Sequence, residues 1–111
     1  MNKIEKIIKC LETERDINNM RAVQSQALSK EFQIKIKYIE ATDYCLDELK
    51  KKGQIIDKTI LNIEARLLVE NEKLLKIASL SKDFLLKKQY IEGINDVLAK
   101  IYEKFPEYKR D

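Results

Sequence analysis

Only Gly53, Gly93 and Pro106 interrupt the backbone of this 111-residue chain, and every other position tolerates a helix. Isoleucine and leucine recur every three to four positions between them, the spacing that lines one face of a helix with apolar side chains. The expectation is an all-α protein: a small antiparallel bundle of three or four helices whose chain reverses at Gly53. The alternative is an extended helical hairpin that self-associates, with arms of about 50 residues reaching roughly 75 Å at 1.5 Å per residue. Either way residues 1–105 read as one domain, and 106–111 as a short frayed tail.

The stripes locate the helices. Ile4, Ile7, Ile8 and Leu11 form the first, and it fades through a polar run in which Asn18-Asn19 is the candidate break. The pattern resumes at Met20, Val23, Ala27 and Leu28. From Phe32 to Tyr38 polar and apolar residues alternate strictly, which is a strand signal. No second strand-like segment exists to pair with it, so the helical reading is kept; a strand here would need an intermolecular sheet. Lys50-Lys51-Lys52-Gly53 then supplies cations for the negative end of a helix and a glycine suited to a left-handed cap.

A third stripe runs through Ile56, Ile60, Ile63, Leu67, Leu74 and Ile77, widened by Leu61, Ala65, Leu68 and Leu75. Apolar on most sides between Ile60 and Val69, this segment is predicted to be the most buried element. Ser81, with Asp83 two residues on, fits the cap of a final helix; a single uninterrupted helix is the rival reading. The last stripe is Phe84, Ile91, Ile94, Leu98, Ile101 and Phe105, with Gly93 beside it. A glycine inside a helix costs about 1 kcal/mol against alanine. Close approach of another helix accounts for it, and so does simple tolerance. Phe105-Pro106 ends the helix.

Histidine is absent, which removes Ser-His and Cys-His nucleophiles and nearly all helical zinc and di-iron motifs. Two widely spaced glycines cannot make a phosphate-binding loop or a dinucleotide fingerprint. The acidic sets Glu12/Glu14/Asp16, Asp43/Asp47 and Glu64/Glu70/Glu72 have basic neighbours and read as solvated helix faces. No catalytic residue, cofactor or metal is expected, and the chain is read as non-enzymatic. Cys10 and Cys45 form no CxxC pair and read as reduced, small apolar residues. No apolar run approaches the roughly 18 residues of a membrane span, and Met1 to Lys6 lacks the apolar core of a signal peptide. A cytoplasmic protein is the default, and the lysine- and isoleucine-rich composition suits a bacterial or mobile-element gene.

Function is then expected from the surface: binding another protein, as an adaptor, an assembly- or secretion-type chaperone, or an inhibitor of a larger machine, with self-association. The candidate contacts are Ile4, Ile8 and Leu11 on the first helix, Phe32 and Ile36 where the pattern is confused, and Tyr102 and Phe105 near the end. The competing class is a nucleic-acid-associated dimer using Lys35, Lys37, Lys50, Lys51, Lys52, Lys87 and Lys88. A net charge of +3 carried mostly by lysine permits that contact without arguing for it. Residues 46–60 superficially suggest a helix-turn-helix, but Leu49 and Lys52 stand where that motif wants a small and an apolar residue, and Asp57 enters the would-be recognition helix.

Overall fold

The computed structural model describes residues 2–25, 29–51, 53 and 55–109. Four helices form: α1 (Lys3–Gln24), α2 (Lys30–Leu49), α3 (Ile56–Leu75) and α4 (Lys82–Lys104). Short polar side chains start three of them. Asn2 Oδ1 accepts from the Glu5 N–H at 2.8 Å, and Ser29 Oγ and Ser81 Oγ accept from the Phe32 and Phe84 N–H groups at 3.1 Å. Each such cap stabilises its helix by about 1 kcal/mol. At α3 the cap position is Ile55, which offers no side-chain acceptor. Ser81 therefore opens a separate last helix, as the first of the two readings had it.

Three expectations need correcting. Asn18-Asn19 does not break the chain; α1 runs through to Gln24. Two asparagines cost a helix only about 0.7 kcal/mol each, too little to stop one already anchored by Ile7 and Leu11. α1 ends on the Ser25 cap and α2 begins from the Ser29 cap; the Ala27 and Leu28 of the resumed stripe lie outside the described residues. Gly53 is left-handed, with φ of 73°, yet it lies beyond the helix end, where the Lys50 N–H closes the last turn on the Leu46 carbonyl at 3.0 Å. It serves the reversal and not the cap. Nor do residues 106–108 fray: Pro106–Tyr108 is one turn of 3-10 helix, with Tyr108 packed on the core and its hydroxyl donating to Asp57. The alternating segment Phe32–Tyr38 is helical, and no strand occurs among the described residues.

Partners between helices fix the topology. Glu12 with Lys50, Arg15 with Asp43 and Ser25 with Lys35 pair rising numbers in α1 with falling ones in α2. Asp57 with Tyr108, Glu64 with Tyr102 and Glu70 with Lys87 do the same for α3 and α4. Successive helices are thus antiparallel, which leaves α2 and α4 running the same way. Those two form the central pair, α1 packs mainly on α2 and α3 mainly on α4, and among the described residues no Cα of α1 comes within 8 Å of one in α3. The bundle measures 39 × 32 × 23 Å, far short of the hairpin's reach.

The core threads this pair. Ala41, Cys45, Ile63, Ile94 and Ile101 are each 0% exposed, with Leu11, Leu46, Ile60 and Val97 close behind. Each buried large aliphatic contributes roughly 1.5–3 kcal/mol. At the α2–α4 crossing, a Cβ added to Gly93 would lie 2.7 Å from Ala41 Cβ and 3.1 Å from the Tyr38 carbonyl oxygen. Close approach is the reason for this glycine.

One further expectation fails, and it matters for function. The segment expected to be most buried is α3, yet only Thr59, Ile60, Ile63 and Glu70 of it are buried. Having only the central pair to pack against, α3 buries one face and leaves the other in water.

Candidate functional site

The inner stripe of α3, through Ile56, Ile60, Ile63 and Leu67, packs on the core. On the opposite side Leu61, Leu68 and Leu75 are 54%, 66% and 87% exposed, with Val69 beside them at 47%. Leu80 in the following turn and Ile55 before the helix are exposed as well. A lone exposed leucine needs no explanation, but a contiguous row of them is a candidate contact surface. Ala65 and Glu72 complete the row, and Asp57, Lys58, Lys73 and Lys76 stand exposed along the same helix. Exposed Ile17, Met20 and Val23 make a second, shorter row on α1, next to the undescribed residues 26–28.

The other feature with the look of a site is a polar depression between α2, α3 and α4, of about 470 Å³. Glu70 forms its floor, and the side chain is 3% exposed. Its Oε2 accepts from Lys87 Nζ at 2.7 Å and its Oε1 from Arg66 Nε at 3.2 Å. The Arg66 guanidinium lies over the Tyr44 and Tyr90 rings, 4.9 and 5.9 Å from their centroids. Burial pushes the Glu70 carboxyl up, but the Lys87 hydrogen bond and the charges of Lys87, Lys73 and Arg66 outweigh it and hold the group below its ordinary value. Both carboxylate oxygens are occupied by cations of the same chain. The arrangement is a brace from α3 to α4.

Burial and then the Asp96 hydrogen bond push the Tyr38 hydroxyl up, so it remains a donor to that carboxylate. Cys45 is sealed in the core, where burial and then the Glu48 charge push its thiol up to about 12. Cys10 is exposed on α1. Among the described residues no group of three or more His, Cys, Asp or Glu side chains could hold a metal ion. Nor is any described helix long and apolar enough to cross a membrane.

The candidate contacts named from sequence are scattered and mostly half-buried. Leu11 is 1% exposed and belongs to the core, so it is withdrawn from the surface. Ile4 and Ile8 are half-buried on α1, and Ile8 packs against the core. Tyr102 donates to Glu64 Oε2 at 2.6 Å, and Phe105 caps α4 with Lys3 Nζ 5.3 Å from its ring centre. That contact puts Ile4 and Phe105 at one end of the bundle. Phe32 and Ile36, both half-buried, sit at the start of α2, at the other end.

The lysine clusters divide between the ends of the bundle, with Lys35, Lys37, Lys87 and Lys88 in the first halves of α2 and α4 and Lys50 and Lys51 past the end of α2. Lys35 pairs with Glu31, Lys37 with Glu40, Lys50 with Glu12, Lys51 with Glu48 and Lys87 with Glu70. Lys37 and Lys87 share a depression, and Glu40, Glu70 and Asp83 line it with them. Lys88 is exposed, and Lys52 lies outside the described residues.

Comparison with protein-family models, curated proteins and solved structures gives no match. The site therefore stands on its own geometry. In the sequence these leucines look like a broadening of the buried stripe. Their signal was a second periodicity: 61, 65, 68, 72 and 75 alternate steps of four and three, separate from the inner run.

Proposed function

We propose that this chain is a non-enzymatic protein-binding module whose docking surface is the outer face of α3. The supporting observation is the row Leu61, Leu68 and Leu75, more than half exposed on a helix whose other face already fills the core. A helix from a partner laid along that row would bury the leucines, while Asp57, Lys58, Glu72 and Lys76 set its register and direction. The affinity comes from apolar burial and the selectivity from charge placement. Adaptor, assembly chaperone and inhibitor all remain roles that such a surface can serve. Because most lysines of the rival reading are already matched by carboxylates, no observation favours nucleic acid.

The test is a photo-reactive amino acid placed at Leu68 in the native host, with exposed Asp47 on α2 as the control position. The expected result is an adduct with a different protein from position 68 and none from 47, lost when Leu61 and Leu75 are both changed to glutamate. Absence of any heterologous adduct from position 68 overturns the reading.

A further inference from the structure

We infer that the outer face of α3 pairs with the same face of a second copy of this chain, the two helices lying antiparallel. This rests on the docking surface proposed above and names an occupant for it. The spacing selects a helix as the occupant: Leu61, Ala65, Leu68, Glu72 and Leu75 repeat in steps of four and three, the pattern of a coiled-coil seam. All five are solvent-exposed, so the seam is complete and uncovered.

Charge selects both the second copy and its direction. Lys58 continues the seam one turn toward the N-terminus, and Glu72 interrupts it near the C-terminus. A parallel pair would set Lys58 against Lys58 and Glu72 against Glu72, two like-charge contacts at the edge of an apolar strip. An antiparallel pair centred between Arg66 and Leu67 reverses this. Lys58 then meets Leu75 of the second copy and lies one turn from that copy's Glu72. Ala65 faces Leu68 of the second copy, small against large, which lets the helices approach. On the flanks Val69 meets Asn62 and Glu64 meets Asn71, with no like charges opposed. Ile55 and Leu80, 67% and 100% exposed, extend the contact past each helix end.

The same patch serves both copies, so the assembly closes at two. The row from Leu61 to Leu75 is about 21 Å long at 1.5 Å per residue. One helix per copy buries less than the roughly 800 Å² per partner of a stable complex. The dimer is accordingly weak, with a dissociation constant on the order of 100 μM, and a better-matched helix displaces the second copy.

Sedimentation equilibrium from about 10 μM to 1 mM tests it. The weight-average mass is expected to climb from the 13.1 kDa chain toward twice that value. Leu68→Glu should weaken association at least about tenfold with an unchanged helical spectrum, because the side chain is 66% exposed in the folded chain. Direction is read by disulfide trapping in a Cys10→Ser background, where Cys45 is shielded by the core. An equimolar mixture of Lys58→Cys and Leu75→Cys chains should oxidise to the mixed dimer, identified by intact mass. Homodisulfides at 58 or 75 overturn the antiparallel pairing. A chain that stays monomeric across the range overturns self-association altogether. If position 68 still captures a different protein, that monomer leaves the docking reading standing; a dimer with no heterologous adduct removes the docking reading alone.

Discussion

The α2–α4 crossing and the outer face of α3 are both rich in aliphatic side chains, and the structure treats them oppositely. At the crossing, Gly93 admits Ala41 so closely that a single methyl group has no room. On α3, Leu75 is 87% exposed. The difference lies in how many neighbours each helix has. α2 and α4 contact each other and both outer helices, whereas α3 has neighbours on one side only. Apolar composition marks a surface as needing cover; the number of adjoining elements decides whether the chain itself provides it.

Substitutions on the two sides should separate accordingly. Ile94→Ala, at a site with 0% exposure, should cost about 2–5 kcal/mol in urea unfolding, from lost burial and the cavity left behind. Gly93→Ala should come next. Helix propensity gains about 1 kcal/mol, but overpacking against Ala41 Cβ and the Tyr38 carbonyl costs about 1–3, and the backbone-held neighbours cannot swing aside. A net loss is expected; a midpoint raised by the substitution would mean the crossing is loose.

Lys87→Met should cost about 1–2 kcal/mol near neutral pH by removing the 2.7 Å bond to buried Glu70. The pH dependence has a definite sign. The folded Glu70 carboxyl titrates below its ordinary value, so its stabilisation is complete above that value and is lost as pH falls through the lowered one. With Lys87 gone, burial is less opposed and the carboxyl climbs, so the share of the acid decline that Glu70 carries should shrink. Identical acid limbs in the two proteins would show that the brace does not hold Glu70. Smallest of all, Leu68→Ala should shift stability by no more than about 0.5 kcal/mol, measured at a protein concentration low enough to keep the chain monomeric. A loss comparable to that of Ile94→Ala would mean the outer face is covered within the chain.

The helical class, the reversal at Gly53, the Ser81 cap and the role of Pro106 were legible because each depends on local chemistry. The missed break near Ser25 shows the limit. A serine cap is a weak signal unless the chain before it stops, and no glycine or proline announces the stop. Asn18-Asn19 looked stronger in composition than it is in energy. The outer face was harder still, since Leu61, Leu68 and Leu75 have the same side chain as buried Leu46. What distinguishes them is that no described element covers that side of α3, and periodicity within one helix carries no record of its neighbours. Leu11, buried, and Leu68, exposed, depart in opposite directions from what their own helix patterns suggest for this reason.

The distance between the α1 and α3 backbones has a kinetic consequence. Each outer helix packs mainly on a different member of the central pair, so native-state amide exchange should resolve separate openings. The α3 amides are placed to exchange through partial undocking, while those flanking Gly93 wait for the whole molecule to come apart. A partner that clasps α3 would then slow exchange in that helix far more than in α2 or α4, and so report its own footprint.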